Sequence, residues 1–277
     1  MADNSSTPSA QDTRPLTGRH ALITGAGSGI GAAIAMALAQ AGCHVTLSGR
    51  SRERLRQQAQ DLQVELGPFP HWIAPLDVTD PESVQAAVRE AEGQFGPVNI
   101  LVNNAGQALS QPFAKTDAAL WHTMLDVNLS GTFHVTQAVL TPMLEAAKNG
   151  TPGRIINIAS TAGLKGYAYV SAYVAAKHGV IGLTKALALE LATKGVTVNA
   201  VCPGYTETDI VHSAIQNIVE KTGQTPAQAR QGLAARNPQK RLVQPNEVAQ
   251  TVMWLCTGAS NALNGQSIAV DGGELAA

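Results

Sequence analysis

Seven short runs rich in β-branched and other apolar residues recur along the chain, and helix-patterned segments of about 12 to 25 residues separate most of them. The runs occupy 20–25, 44–49, 71–78, 98–106, 153–160, 196–201 and 267–273. Strands this apolar are buried on both faces, and intervening helices allow consecutive strands to pair in parallel. The pattern therefore predicts a doubly wound α/β fold, with a seven-stranded parallel sheet flanked by helices on both faces.

The alternation also predicts the domain organisation. Residues 1–17 are polar and lack the apolar core of a signal peptide, so we expect a disordered N-terminal tail. No linker-like stretch interrupts 18–277, which we interpret as a single dinucleotide-binding catalytic domain. The segment at about 207–241 has two helix-like pieces and no strand. We expect it to be a helical insertion that covers the substrate at the carboxyl ends of the strands.

Composition excludes several classes of function. The formal net charge is −1, which gives no electrostatic basis for capturing nucleic acid or anionic lipid. The longest apolar runs are too short to span a bilayer. Cys43, Cys202 and Cys256 have no metal-ligand spacing, so we expect no metal site and three buried thiols in a reducing cytoplasm.

A glycine-rich turn, TGAGSGIG, ends the first predicted strand at Thr24–Gly31. Glycine allows tight turns and close approach of backbone N–H groups to phosphate, and the following helix N-terminus favours negative charge. A purely structural tightening of the turn is the alternative. The position between the first strand and the first helix favours dinucleotide binding.

A second pattern combines a tyrosine and a lysine. Tyr173 and Lys177 are spaced i, i+4, so they share one face of a helix. An ammonium group favours the phenolate and would lower the pKa of the tyrosine, whose ordinary value of about 10 is too high for acid–base work at neutral pH. With the upstream Ser160 holding a substrate oxygen, the pair could supply or remove a proton beside a carbonyl.

Taken together, these motifs resemble the short-chain dehydrogenase/reductase family in order and spacing, over about residues 18 to 273. The matching stretches are TGAGSGIG, Asp77-Val78, NNAG at 103–106, Asn128 within DVNLSG, Ser160, YVAAK at 173–177 and PGYTET at 203–208. The resemblance implies a single-domain, doubly wound Rossmann fold and an NAD(P)(H)-dependent oxidoreductase that interconverts a secondary alcohol and a ketone.

The resemblance also assigns roles to residues. Tyr173 is implied to be the general acid/base, Lys177 to lower its pKa while binding the nicotinamide ribose, Ser160 to position the substrate oxygen, and Asn128 to hold a relay water. The implied cofactor contacts are Gly25, Ser28, Gly29, Ile30, Gly31, Arg50, Asp77, Val78, Asn104, Ala105, Gly106, Tyr173, Lys177, Pro203, Gly204, Thr206 and Thr208.

Other polar residues near the Tyr-Lys pair have weaker assignments. Lys165, Tyr167 and Tyr169 precede the helix in a loop, where they either border the substrate pocket or pack on the surface. His178 directly follows Lys177 and so points off the catalytic face, which makes a structural or solvated role the better interpretation.

The end of the second strand bears on the choice of cofactor. NAD-binding folds commonly place an acidic side chain there to bind the ribose hydroxyls. This chain has Gly49 followed by Arg50, and a guanidinium can pair with a 2′-phosphate. The sequence therefore favours NADP(H) over NAD(H), although Ser28 stands where many NADP(H) members have a basic residue.

The substrate is less constrained. The stretches around the Tyr-Lys pair and after PGYTET resemble members that act on 3-hydroxybutyrate or 3-hydroxyacyl thioesters. Ala108, Ala162 and Val170 are apolar where a free short carboxylate would need polar neighbours, so we favour a 3-oxoacyl/3-hydroxyacyl thioester or a bulky apolar ketone. The alternatives are a dehydrogenase of a small hydroxy acid and a non-catalytic dinucleotide-sensing protein.

The segment VIGLTKALALELA at 180–192 is apolar over much of its circumference, more than one covered face needs. Members of the resembled family usually pair the helix that carries the catalytic tyrosine with its copy in a neighbour. We therefore expect a homotetramer with two-fold interfaces.

Overall fold

The computed structural model describes residues 14–276, and within them all seven predicted strands form. They are β1 (His20–Thr24), β2 (His44–Gly49), β3 (His71–Pro75), β4 (Ile100–Asn103), β5 (Gly153–Ile158), β6 (Val196–Pro203) and β7 (Ser267–Val270). They pair in parallel in the order β3-β2-β1-β4-β5-β6-β7. The predicted seven-stranded parallel sheet is confirmed.

Helices connect the strands and cover the sheet. They are α1 (Gly29–Gln40), α2 (Arg52–Leu66), α3 (Pro81–Phe95), α4 (Ala118–Leu125), α5 (Gly131–Lys148), α6 (Ser171–Leu191), α7 (Asp209–Thr222), α8 (Pro226–Ala234) and α9 (Pro245–Cys256). The start of α3 has residues that are typical of a helix N-terminus, because the Asp80 carboxylate accepts the N–H of Glu82 at 2.9 Å and Pro81 occupies the first turn. Within 14–276, no helix combines the length and apolarity needed to cross a bilayer.

Two apolar cores lie on opposite faces of the sheet. Along β1, Ile23 packs into the core with α1, α2 and α9, whereas the adjacent Leu22 packs into the core with α3 and α5. Both side chains are fully buried, as expected for neighbours in a strand that is covered on both faces. This alternation explains why the strand sequences are apolar at nearly every position.

The order of the strands determines where a ligand can bind. The chain proceeds from β1 outward through β2 and β3, then returns to the other side of β1 to form β4. The loops after β1 and β4 therefore leave the sheet in opposite directions and open a crevice between them. Most of the predicted site residues follow the carboxyl ends of strands around this crevice.

The first described residues differ from the predicted tail. Residues 1–13 lie outside the described part of the chain, but Leu16 is buried and its N–H donates to the carbonyl of Ala41 at 2.9 Å. The predicted boundary at residue 17 was therefore too late, because a single leucine in a polar stretch gives little signal that it is anchored to the core.

The segment at about 207–241 contains α7 and α8, which share a small apolar cluster that includes Val211, Ile215 and Leu233. Glu207 joins the two helices by pairing with Arg230 of α8 and with His212 of α7. The segment is therefore an ordered pair of helices with its own core.

His20 is a buried histidine at the opposite end of β1 from the crevice. Its Nδ1 lies 2.8 Å from the carbonyl oxygen of Gly96, which can only accept, so Nδ1 carries the proton. Nε2 then accepts the Thr46 hydroxyl at 2.9 Å. Burial lowers the pKa of His20 to about 4, and the neutral ring is the form that the fold stabilises.

We expect this histidine to make the fold sensitive to mild acid. Because its pKa is lower in the folded than in the unfolded state, its contribution to stability is complete above about pH 6.5 and is lost as the pH falls toward 4. Between pH 7 and pH 5 this amounts to about 2 kcal/mol of unfolding free energy. Urea unfolding at the two pH values should show a smaller difference for His20→Leu than for the wild type. The exposed-histidine variant His122→Gln should retain the wild-type difference, and equal pH dependence in all three proteins would contradict the assignment.

Candidate active site

The turn between β1 and α1 is shaped to receive an anionic group. Gly25 and Gly29 have φ values of +66° and +55°, which L side chains rarely adopt. A Cβ on Gly31 would lie 2.2 Å from the carbonyl oxygen of Gly25, so only glycine allows this close approach. Within the described chain, the N-cap Ser28 makes no side-chain capping hydrogen bond, and the first turn, which includes Ile30, has no acidic residue. The N–H groups of this turn fit a dinucleotide pyrophosphate.

The end of β2 presents a cation and no carboxylate, as the sequence indicates. Arg50 is exposed, and its charge contributes to a lowered pKa of Asp77, for which the hydrogen bond from the Thr79 backbone N–H is the largest cause. A Cβ on Gly49 would have ordinary contacts, the nearest at 3.7 Å from Cδ2 of Leu55. A larger side chain could therefore occupy this position without a steric clash.

Asp77 and Val78 follow β3 on the same edge of the sheet. Oδ1 of Asp77 accepts the backbone N–H and the hydroxyl of Thr79, at 2.9 and 2.8 Å. Val78 is buried and touches Gly131, the first residue of α5. The local bonds hold Asp77 partly exposed at this edge of the sheet.

Asn104 connects the end of β4 to the glycine turn by hydrogen bonds. Its Nδ2 donates to the carbonyls of Thr24 and Gly25 at 2.9 and 3.2 Å. The backbone N–H groups of Asn104 and Ala105 both donate to the Thr24 hydroxyl at 2.9 Å. The Asn104 amide donors are thus used within the protein, so this side chain shapes the crevice by holding its two sides together.

Tyr173 and Lys177 lie one turn apart on α6, and Nζ of Lys177 is 5.7 Å from the centroid of the Tyr173 ring. Lys177 is buried, and its Nζ donates to the carbonyl of Ile158 at 2.9 Å. The last residue of β5 therefore fixes the ammonium group against the tyrosine. The predicted pair is formed.

Burial dominates the electrostatics of both groups. It raises the pKa of Tyr173 to about 12, while hydrogen bonding with Ser160 acts in the opposite direction. It lowers the pKa of Lys177 to about 8. The net direction for Tyr173 is thus opposite to the expectation that Lys177 would lower it, because desolvation has the larger effect. Near neutral pH the pair is a neutral phenol beside an ammonium, a combination suited to donating a proton.

Ser160 lies two residues after the end of β5 and caps a short 3₁₀ turn. Its Oγ accepts the N–H of Ala162 at 3.1 Å, and its carbonyl accepts the N–H of Gly163 at 2.9 Å. Against the larger effect of burial, the Ser160 side chain lowers the pKa of Tyr173, which places the two side chains close to each other. A carbonyl oxygen placed there could interact with both hydroxyls.

Asn128 lies in a π-helical turn that joins α4 and α5, and it is fully buried. Its Nδ2 donates to the carbonyls of Gln107 and Met124 at 3.0 and 2.9 Å, and its Oδ1 accepts the N–H of Gln107 at 3.3 Å. A Cβ on Gly106 would lie 2.8 Å from Oδ1 of Asn128 and 3.7 Å from Nζ of Lys177. Asn128 therefore holds the loop after β4 close to the lysine, at a kind of helix defect that is frequent at functional sites.

The loop after β6 lies against the glycine turn. It follows Pro203, the last residue of β6. Its threonines make local bonds, from Thr206 Oγ1 to the carbonyl of Gly204 at 3.0 Å and from Thr208 Oγ1 to the carbonyl of Thr206 at 3.1 Å. A Cβ on Gly29 would lie 3.0 Å from the methyl group of Thr208. The structure thus brings this loop to the same crevice as the turn.

The loop before α6 contains residues with different environments. Tyr167 is partly buried and hydrogen-bonded, Lys165 pairs with Glu274 at 3.4 Å, and Tyr169 is 63% exposed with φ +69°. His178 is exposed and bonds only locally, to the carbonyl of Val174, which agrees with a solvated role. Of the three loop residues, Tyr169 is the most exposed to solvent.

Sequence reasoning missed several residues that shape the site. Gln107 holds Asn128 through its backbone, which no side-chain pattern reveals. Thr161 and Glu274 both hydrogen-bond the hydroxyl of Tyr167, although Glu274 is 107 residues away in sequence from that tyrosine. No motif spacing signals a contact of this kind.

Comparisons with known proteins agree with this geometry. The family profile described as short chain dehydrogenase matches residues 19–218. The chain is 43% identical to nodulation protein G of Azospirillum brasilense, with 91% of this chain and 96% of that protein covered. It is 41% identical to a putative ketoacyl reductase of Streptomyces coelicolor, with 91% and 95% covered.

Solved structures give a similar result. The chain is 40% identical to an actinorhodin polyketide ketoreductase variant crystallised with NADPH, and the two superpose with a TM-score of 0.88. The match covers 92% of this chain and 97% of that one.

Proposed function

Because this chain belongs to the short-chain dehydrogenase family and is an alcohol–ketone oxidoreductase, we propose that it reduces a 3-oxoacyl thioester or a bulky apolar ketone with NADPH. The observation that carries the proposal is the placement of Tyr173 beside the buried Lys177 ammonium, whose Nζ is bonded to the carbonyl of Ile158, two residues before Ser160. A dinucleotide supplies the hydride in this chemistry.

In the proposed mechanism, Ser160 and Tyr173 both hydrogen-bond the oxygen of the substrate carbonyl. As negative charge develops on that oxygen, Tyr173 donates its phenolic proton, and Ser160 stabilises the oxygen by a second hydrogen bond. Lys177 stabilises the resulting phenolate, since its ammonium is held in place by the carbonyl of Ile158. In the reverse direction the phenolate would take the proton from an alcohol.

The residues that would hold NADP(H) line the crevice. We propose that the N–H groups of Gly29–Gly31 bind the pyrophosphate and that Arg50 pairs with the 2′-phosphate. Asp77 and Val78 would contact the adenine, residues 104–106 the adjacent ribose, and residues 203–208 the nicotinamide. The positive-φ glycines and the open end of β2 support this placement.

The preference for an apolar substrate is supported by the exposed side chains around the crevice. Five of the nine exposed large hydrophobic residues in the described chain lie on or directly after loops at the carboxyl ends of β4, β5 and β6. They are Leu109, Phe113, Leu164, Tyr169 and Ile210. The N–H of Gln111 donates to the carbonyl of Tyr169 at 2.7 Å, which ties two of these loops together. Apolar residues in such numbers are typical of a ligand-binding rim.

We propose that α7 and α8 cover the bound substrate. Arg54 of α2 pairs with Asp209 at the start of α7 at 3.3 Å, and both side chains are 65% exposed. A surface pair of this kind contributes little stability, so it can break and re-form as ligands enter. The Arg54 backbone also lies beside Gly27 in the glycine turn. Arg54 therefore contacts both α7 and the proposed cofactor site.

We further propose that the protein works in a reducing, cytoplasmic environment. Cys43, Cys202 and Cys256 are all free and buried. Burial raises the pKa of Cys202 to about 11, so this thiol stays protonated although Lys177 is close to it.

Replacing Tyr173 with phenylalanine tests the proton donor. Tyr173→Phe keeps the ring but removes the hydroxyl, so kcat for a ketone should fall by at least about 100-fold while NADPH binding is retained. The control Tyr169→Phe removes an exposed hydroxyl and should keep most of its turnover. Steady-state kinetics and fluorescence titration with NADPH would measure both effects. Near-normal turnover in Tyr173→Phe would exclude this tyrosine as the acid.

The cofactor preference can be tested at the end of β2. An Arg50–phosphate contact is worth about 1.5–3 kcal/mol, which corresponds to roughly a 10- to 100-fold preference for NADPH in kcat/KM. Gly49→Asp combined with Arg50→Ile should reverse the preference, because the new carboxylate repels the phosphate and accepts the ribose hydroxyls. The space around Gly49 allows this substitution.

The matched control for this prediction is Arg52→Ile. Arg52 is also exposed and lies two residues further along, at the start of α2, so its loss should leave the preference unchanged. A wild-type enzyme that already prefers NADH would contradict the role assigned to Arg50.

We also propose a homotetramer. Leu189 on α6 is 83% exposed, Phe133 on α5 is 46% exposed, and Gly182 leaves open space on the outer face of α6. A second copy of the same helices would bury these side chains. Light scattering at micromolar concentration should give a tetrameric mass, and Leu189→Glu should shift it downward. A monomeric mass for the wild type would contradict the proposal.

A further inference from the structure

Glu274 is connected by two consecutive hydrogen bonds, through Tyr167, to Thr161, the residue that follows Ser160. We infer that Glu274 is a positioning residue that holds Ser160 in place through Tyr167 and Thr161. The inference rests on the proposed function, because it assigns to Ser160 the task of orienting the substrate oxygen.

The contacts are short and buried. The phenolic oxygen of Tyr167 lies 2.7 Å from Oε1 of Glu274 and 2.8 Å from Oγ1 of Thr161. The Glu274 side chain is only 3% exposed, and Thr161 is also buried. A buried carboxylate is costly unless it is paired and hydrogen-bonded, so its retention here indicates a defined partner.

The chemistry of the three groups determines the direction of the bonds. The carboxylate of Glu274 can only accept, so the phenol of Tyr167 donates its single proton to it. The Thr161 hydroxyl must then donate to the phenolic oxygen. The Thr161 hydroxyl thus donates to Tyr167, and the Tyr167 hydroxyl donates to Glu274. These two bonds fix the orientation of both hydroxyl groups.

Glu274 is itself held by the surrounding chain. Nζ of Lys165 lies 3.4 Å from its Oε1 and donates to its main-chain carbonyl at 3.3 Å. A Cβ on Gly204 would lie 3.3 Å from Oε2, so the carboxylate lies directly against the loop after β6. The carboxylate of Asp271 accepts the N–H groups of Gly273 and Leu275, both at 2.9 Å, and shapes the turn that carries Glu274.

Fixing Thr161 fixes the turn that presents Ser160. The carbonyl of Thr161 accepts the N–H groups of Leu164 at 2.9 Å and Lys165 at 3.0 Å, while Ser160 accepts those of Ala162 and Gly163. Thr161 is the residue between these two sets of bonds. If its side chain is released, this turn loses its side-chain anchor to Tyr167, and the backbone that orients the Ser160 hydroxyl is held less firmly.

The first test compares two substitutions at Glu274. Glu274→Ala removes the acceptor, so kcat for a ketone should fall about 10-fold, as expected for one hydrogen bond to a charged group, with the Kd for NADPH unchanged. Glu274→Gln keeps an oxygen acceptor at Oε1 and should recover most of the lost kcat. The control Glu90→Ala, an exposed glutamate on α3, should behave as the wild type.

A double-mutant cycle distinguishes positioning of Ser160 from a general structural effect. If Glu274 acts through Ser160, Glu274→Ala should cost little further kcat in a Ser160→Ala background. The same fold-loss in both backgrounds would overturn the inference. Should Glu274→Ala fail to fold, Tyr167→Phe removes the same bonds while keeping the ring, and the same outcomes apply.

Hydrogen exchange provides a readout that does not depend on turnover. In Glu274→Ala and Tyr167→Phe, a peptide covering 159–168 should exchange faster than in the wild type, and in Glu274→Gln it should not. Unchanged exchange in both disrupting variants would overturn the inference. Faster exchange in a protein that reduces no ketone would instead count against the proposed function.

Discussion

The parallel pairing of seven strands is the constraint on which the rest of the structure depends. Because every strand points the same way, every carboxyl end lies at one edge of the sheet, and the loops that follow must meet there. The glycine turn, Arg50, Asp77, Asn104 and Ser160 all follow carboxyl ends of strands. The chemistry is assembled from residues far apart in sequence, while both faces of the sheet are occupied by apolar cores.

Burial decides the protonation states at the centre of this edge. It raises the pKa of Tyr173 to about 12 and lowers that of Lys177 to about 8, so each group is biased toward its neutral form. The phenol accordingly retains its proton near neutral pH, while the lysine remains mostly charged. A protonated acid beside a cation is suited to reducing a ketone, whereas oxidation of an alcohol requires the phenolate and should be favoured by higher pH.

Much of this fold and site could be predicted from sequence because the determining signals are local. The strand positions follow from apolar runs, and the Tyr173–Lys177 pair follows from helical spacing. The contacts that could not be predicted are long-range or use the backbone. The side-chain amide of Asn104 donates to the carbonyls of Thr24 and Gly25. Main-chain atoms of Gln107 bind Asn128, and Glu274 hydrogen-bonds Tyr167, which is 107 residues away in sequence. The spacing indicated an ammonium beside Tyr173 but gave no sign of the desolvation that raises the pKa of this tyrosine, because desolvation depends on the packed surroundings.

The most direct test of the central claim is isotope transfer. With NADPH deuterated at C4 on the transferred face and a 3-oxoacyl thioester or bulky apolar ketone, the account predicts an alcohol that carries one deuterium at the new carbinol carbon, detected by mass spectrometry and NMR. Deuterated cofactor of the opposite face should give unlabelled alcohol. If the protein binds NADPH tightly yet yields no labelled alcohol from either deuterated form across a panel of such ketones, it senses the dinucleotide without turnover, and the catalytic account is contradicted.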